Sequence, residues 1–207
     1  MQLKIARLAA LGFFIFGLNG PVTAAELVLD SKIHDTKSVE FIPYEAAGPW
    51  GSYLAMNLPF EPVAELFKQL LLKERRQLAN RGEAHITVVT PVEYWNVLKP
   101  KGVTIEAINQ IAKNSAIQKA KFEVVCLGRG AAKIDGADEA TFYVVVKSKD
   151  LVEIRSAIQA AFVAKGGDAK AFLPSAYHPH ITLGFTKRDL HESDGVIKDE
   201  KSCVSKL

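Results

Sequence analysis

Hydrophobic residues recur along this chain with two spacings, and each spacing predicts a different element of secondary structure. Short runs of apolar and β-branched residues between Pro, Gly and polar residues predict strands. Apolar residues three and four positions apart predict helices. The predicted strands are at 53–58, 84–90, 122–127, 141–146 and 180–185. The predicted helices are at 62–80, 104–120 and 151–165, the last of them capped by Asp150.

The order of these elements predicts a mixed fold. A strand and a helix are followed by a second strand and helix, then by a hairpin around the glycine- and charge-rich segment 128–139, and finally by a helix and a strand. Two sheet-forming halves, each with a strand beside a helix, indicate an α/β or α+β domain. Residues 26–49 are mixed in polarity and predict no regular element.

The first 25 residues have the pattern of a secretory signal peptide. Lys4 and Arg7 precede the apolar run 8–18, and small residues follow at 22–25, so cleavage is expected after Ala24 or Ala25. An uncleaved membrane anchor is the alternative, but the run is shorter than the roughly 18 residues that span a bilayer. We therefore expect an exported protein, periplasmic or secreted, with no stable membrane association after cleavage. Residues 26–190 are expected to form one domain and 191–207 a polar tail.

Composition limits the classes of protein to which the chain can belong. It has 207 residues, of which 48% are hydrophobic and 24% charged, and these values exclude disorder and a disulfide-dense scaffold. One domain with an ordinary core is expected at this length, and a monomer is expected because that core uses the helix faces. Removing Lys4 and Arg7 from the 26 basic residues leaves 24 against 23 acidic ones. A nucleic-acid-coating surface needs a larger excess of positive charge.

The two cysteines have two interpretations. In an oxidising compartment, Cys126 and Cys203 form a disulfide that ties the tail to the domain. Alternatively, Cys126 is buried and Cys203 is free, because sequence does not test the bond geometry.

The most informative motif is His-Ile-Thr, which occurs in two predicted strands at 85–87 and 180–182. Successive side chains on a strand point to opposite faces, so the His and Thr of each motif share a face while the Ile points to the other. If the two strands are neighbours, two imidazoles and two hydroxyls converge on one cleft.

This set of side chains suits the cleavage of a phosphodiester. A neutral imidazole can take a proton from the attacking water, and a protonated one can give a proton to the leaving oxygen. The Thr hydroxyls would hold the non-bridging oxygens, where negative charge increases in the transition state. This chemistry needs no metal or other cofactor, and it predicts a bell-shaped dependence of rate on pH.

The paired motifs resemble those of the 2H phosphoesterase superfamily, which includes RNA 2′,3′-cyclic phosphodiesterases. The run 177–186, Tyr-His-Pro-His-Ile-Thr-Leu-Gly-Phe-Thr, resembles the Swiss army knife branch of that superfamily. The resemblance implies an α+β fold with two pseudo-symmetric lobes, in which two antiparallel sheets flank a central cleft and helices lie outside. It implies His85 and His180 as catalytic residues, and Thr87 and Thr182 as phosphate-binding residues. The expected substrate is the 2′,3′-cyclic phosphate of a nucleotide or RNA end.

Several alternatives remain open at this stage. His178 either supports the site as an accessory residue or, with His85 and His180, binds zinc in a metal-dependent hydrolase. Tyr53 either packs in the core or stacks on a nucleobase. The cleft can also bind a phosphate or nucleotide without turnover. The sequence does not decide which histidine is the base or whether the product is a 2′- or a 3′-phosphate.

Overall fold

A computed structural model describes residues 26–48 and 50–207, so the predicted signal peptide at 1–25 lies outside the described residues. Seven strands form one antiparallel sheet in this part of the chain. They are β1 (Tyr44–Glu45), β2 (Ser52–Asn57), β3 (His85–Val89), β4 (Glu123–Ile134), β5 (Ala137–Lys147), β6 (His180–Phe185) and β7 (Cys203–Ser205). Their order across the sheet is β1-β2-β3-β6-β5-β4-β7.

Helices cover one face of this sheet. They are α1 (Phe60–Glu74), the short α2 (Pro91–Glu93), α3 (Ile105–Asn114) and α4 (Lys149–Ala164). A π-helical turn, Tyr94–Leu98, continues α2. Leu66 of α1 and Ile158 of α4 are fully buried, and they belong to one hydrophobic core with Ile86 of β3 and Ile181 of β6. Burial of each such side chain stabilises the fold by about 1.5–3 kcal/mol.

The α+β class is confirmed, but the prediction of two separate sheets is not. β3 and β6 are neighbours and pair at Ile86 and Ile181, so the two halves of the chain form one continuous sheet. The two-sheet arrangement was implied by the family resemblance, and the strand patterns alone could not correct it, because pairing between strands 95 residues apart leaves no mark in either strand's own pattern. Among the described residues, no helix combines the length and the apolar character needed to cross a bilayer.

Several boundaries differ from the predicted ones. α1 ends at Glu74, and residues beyond it extend along the sheet, where Ala79 forms a bridge with Phe185. The N-cap of α4 is Ser148, whose hydroxyl accepts a hydrogen bond from the backbone of Leu151. β4 and β5 continue far into the predicted connection and meet at a two-residue turn, Asp135-Gly136, in which both residues have positive φ. A turn of this kind matches the twist of the strands it joins.

The C-terminal segment 191–207 packs against the sheet. Cys126 of β4 and Cys203 of β7 form a disulfide, which decides between the two interpretations of the cysteines. β7 extends the sheet beside β4. Val196 of the same segment is buried over Gly130, where any side chain would collide with it.

Candidate active site

The residues of both His-Ile-Thr motifs lie on the face of the sheet opposite α1, α3 and α4, called the site face below. Ile86 and Ile181 point into the core, so the His and Thr on either side of each Ile point to the site face. Because Ile86 and Ile181 are antiparallel partners, His85 lies across from Thr182 and Thr87 across from His180. The two histidines are then diagonal neighbours, and such residues in an antiparallel sheet are about 7–8 Å apart, with their Cβ atoms somewhat closer.

His180 is partly buried and held at both ring nitrogens. Its Nδ1 lies 2.8 Å from the backbone oxygen of His178, and its Nε2 lies 3.2 Å from Nζ of Lys198. Since a carbonyl and an ammonium group face the two nitrogens, Nδ1 carries the proton and Nε2 accepts from Lys198. Burial and the positive charge of Lys198 lower the pKa of His180 to about 3. The imidazole of His180 is therefore neutral at physiological pH.

His85 has a carboxylate as its neighbour instead of an ammonium group. Oε1 of Glu83 lies 3.5 Å from Nδ1 of His85, and this nitrogen has no hydrogen-bond partner among the described residues. The contact with His85 is the main reason that the pKa of Glu83 is lowered. Two tyrosine rings, those of Tyr44 and Tyr53, lie 6.1 and 5.8 Å from the imidazole of His85. The charges beside the two histidines thus have opposite signs.

Asp189 is the centre of a hydrogen-bond network beside His180. Its carboxylate accepts from Lys198 at 2.7 Å, Thr141 at 2.7 Å, Thr182 at 3.1 Å and Arg81 at 3.2 Å. Burial raises the pKa of this carboxyl group, but Lys198 and the hydroxyl of Thr141 outweigh that effect and hold the pKa well below its usual range. Asp189 therefore carries a buried negative charge at neutral pH.

The two threonines of the motifs differ in what they can offer a substrate. Thr182 donates its hydroxyl proton to Asp189, so this proton is not free for a phosphate oxygen. The hydroxyl of Thr87 is partly exposed and has no hydrogen bond to any of the described residues. Of the two predicted phosphate-binding residues, Thr87 keeps a free donor and Thr182 does not.

The other candidates have smaller roles in the observed geometry. The side chain of His178 is exposed, and the residue touches the site through its backbone oxygen. Tyr53 stacks on Tyr44 with ring centroids 4.1 Å apart, and it is half-buried beside His85. Within residues 26–48 and 50–207, no three His, Cys, Asp or Glu side chains are grouped so as to hold a metal ion. The zinc alternative therefore has no ligand set among these residues.

One groove in the described part of the chain shares residues with the surroundings of His180. It has a volume of about 1130 Å³ and is lined by Lys198 and His178, but by neither His85 nor His180. Both lysines and acidic residues line it, so its charge favours neither sign of ligand. The two histidines are partly buried and lie outside this groove.

Three site residues were missed from the sequence. Glu83 precedes His85 by two positions, and the alternation of side chains on a strand is a signal that places the two on one face. Asp189 and Lys198 have no such signal, because they reach the site through loops that fold back over the sheet.

Comparison with known proteins gives one match. A family model described as "Swiss Army Knife, 2H phosphoesterase domain" matches residues 52–191, which is more than half of the chain. Searches of curated proteins and of solved structures found no match. The matched range contains both His-Ile-Thr motifs, Glu83 and Asp189, and it ends before Lys198.

Proposed function

Because this chain belongs to the Swiss Army Knife branch of the 2H phosphoesterases, we propose that it opens 2′,3′-cyclic phosphates of nucleotides or RNA ends without a metal. Membership of the family supports a hydrolase that acts on phosphoesters. The observation that carries the finer proposal is the pairing of β3 with β6, which puts His85 and His180 on the site face as diagonal neighbours.

The charges beside the two histidines support a division of their roles. His180 is neutral and its Nε2 bears a lone pair, so it is assigned as the general base. His85 has the carboxylate of Glu83 beside it and is assigned as the general acid. Nε2 of His180 takes a proton from water as the water oxygen bonds to phosphorus. The bond from phosphorus to one ribose oxygen breaks, and that oxygen receives its proton from His85.

The purified protein is expected to hydrolyse 2′,3′-cyclic mononucleotides and cyclic-phosphate-ended RNA at rates that EDTA does not change. Linear diesters should react more slowly, because opening a five-membered cyclic phosphate releases ring strain. The measurement is product formation by chromatography with and without EDTA. Affinity without product would indicate a binding module instead. Activity lost to EDTA and restored by zinc would support the metal-dependent alternative.

The dependence of kcat/KM on pH is expected to be bell-shaped with an unusually low acid limb. The reaction needs His180 unprotonated, so the rate falls as the pH drops through the pKa of His180, which is about 3 in the free protein. An unperturbed histidine would place this limb near pH 6.5. The check is kcat/KM from pH 3 upward, with circular dichroism at each pH to show that the protein stays folded. An acid limb at about pH 6.5 would contradict the environment described for His180.

We also propose that the protein is exported and acts in an oxidising compartment. The disulfide between Cys126 and Cys203 supports this, since disulfides persist in such compartments and are rare in the cytosol. The signal-like pattern of residues 1–25 supports it independently.

A further inference from the structure

We propose that Lys198 is the phosphate-binding cation of this site, and that it leaves His180 for the substrate when the substrate binds. The proposal rests on the function proposed above and extends it to a residue outside the segment that the family model matches.

The first observation is the position of the Lys198 ammonium group. Lys198 is only 4% exposed, although lysine is among the residues least often buried. Nζ lies 2.7 Å from Oδ1 of Asp189 and 3.2 Å from Nε2 of His180. An ammonium group has three N–H bonds, and these two acceptors take two of them. When a ligand binds beside His180, the N–H that points to Nε2 can turn to a ligand oxygen while the bond to Asp189 is kept.

The second observation is that the substrate needs such a cation. A cyclic phosphate is an anion, and Thr182, which should hold one of its oxygens, donates to Asp189 instead. Arg81 also donates to Asp189, but it forms no hydrogen bond with either histidine. Among the described residues, Lys198 is the cation in direct contact with a histidine of the motifs. Asp189 is a positioning residue, because it holds both Thr182 and Lys198.

The third observation is that Lys198 blocks the base. Nε2 of His180 has one lone pair, and while that pair accepts from Lys198 it cannot take a proton from water. A phosphate oxygen that accepts from Lys198 in place of Nε2 frees the lone pair. It also removes a positive charge from beside the imidazole, and a stronger base results. Substrate binding therefore both holds the phosphate and activates His180.

The last observation explains how Lys198 is held in place. The segment that carries it is fixed to the sheet by the disulfide from Cys203 to Cys126 and by the pairing of β7 with β4. Between Asp189 and Lys198, the carboxylate of Asp194 accepts two hydrogen bonds from Arg188, at 2.6 and 2.8 Å. The backbone of Lys198 is thus anchored on both sides, and its side chain alone must move.

The test compares Lys198→Met with Lys198→Arg and with Lys201→Met, an exposed lysine of the same segment, as the matched control. Loss of the cation should lower kcat/KM by about 10²–10³-fold, as the loss of a transition-state donor does elsewhere. Inorganic phosphate should inhibit Lys198→Met at least tenfold more weakly. Lys198→Arg should keep most of the phosphate affinity, because it keeps the charge. Lys201→Met should match the wild type in both measurements.

The pH profile separates this role from a purely structural one. The ionisable groups that face His180 are Lys198, Asp189 and His191, with the ring of Tyr143 packed edge-on at 5.8 Å. Without Lys198 the imidazolium form is less disfavoured, so the acid limb of kcat/KM should move to higher pH in Lys198→Met. The double variant Asp189→Asn/Lys198→Met removes both buried charges and serves if the single variant folds poorly. Its acid limb should move in the same direction but by less, because Asp189 raises the pKa of His180.

The results that would overturn the proposed role of Lys198 are distinct from those that would overturn the proposed function. Wild-type kcat/KM and phosphate inhibition in Lys198→Met would overturn it. Lower activity with an unchanged acid limb and unchanged phosphate inhibition would also overturn it, because that result indicates a structural role. If the wild type hydrolyses none of the substrates, the proposed function fails by itself. Calorimetry with inorganic phosphate on the wild type and Lys198→Met then still tests Lys198, and equal affinities would overturn it.

Discussion

Replacing either His180 or His85 with Ala is expected to lower kcat/KM toward a 2′,3′-cyclic nucleotide by about 10²–10⁴-fold, because each change removes one proton-transfer group. Both side chains lie on the site face, and their neighbours Ile86 and Ile181 supply the buried contacts. The fold should therefore survive both changes. The double variant should lose little more than a single one, since the two groups act in one transition state.

Initial rates and thermal unfolding of each variant give the measurement. His178→Ala is the matched control, because His178 touches His180 through its backbone oxygen, which the substitution keeps. We expect its rate to stay close to that of the wild type. A loss in His178→Ala equal to that in His180→Ala would favour the zinc alternative. Wild-type activity in His85→Ala or His180→Ala would end the two-histidine mechanism.

The largest expected effect on stability comes from Arg155, a buried residue of α4. Its side chain is 1% exposed, and its guanidinium group pairs with the carboxylate of Glu93 at 2.7 Å. It also donates to the backbone oxygens of Val88, Leu173 and Pro174. Arg155→Met should destabilise the protein by about 3–5 kcal/mol, since it leaves these acceptors and the carboxylate without their donor.

Urea unfolding measures this effect as a shift of the midpoint. Arg76→Met serves as the control, because Arg76 is exposed, and its free energy of unfolding should change by less than about 0.5 kcal/mol. Glu93→Gln should also destabilise the protein by leaving the buried guanidinium unpaired. Equal midpoints for Arg155→Met and Arg76→Met would show that the hydrogen bonds of the buried Arg155 guanidinium contribute nothing to stability.

The features that could be predicted from the sequence are those that depend on residues close together in the chain. Strands such as β3 and β6 have local alternation, and this alone put each His and Thr of a motif on one face. The turn at Asp135-Gly136 also had a local signal, because Asp-Gly favours a two-residue hairpin, but the surrounding glycines and charges concealed it. Partners that are distant in the chain were not predictable in the same way.

The single sheet and the Asp189 network illustrate this limit. Whether β3 pairs with β6 depends on how two halves of the chain pack, and nothing in 85–89 or 180–185 records it. Lys198 lies 18 residues after His180 in a polar segment that resembles a solvated tail. The disulfide and β7 bring that segment back over the sheet, and neither can be deduced from polarity. The positions of the two histidines on one face were thus predictable, whereas the charged groups beside them were not.

The junction between the halves of the sheet has a consequence for motion. β3 and β6 pair at Ile86 and Ile181. Farther along β3, side chains supply hydrogen bonds to its backbone: Tyr177 donates to the oxygen of Thr87 and Arg155 to that of Val88. One half carries His85, the proposed acid, and the other carries His180, the proposed base. A change of a few degrees in the tilt between the halves would alter the distance between the two imidazoles, which one bound phosphate must span. The short pairing of β3 with β6 therefore determines how far apart His85 and His180 are held.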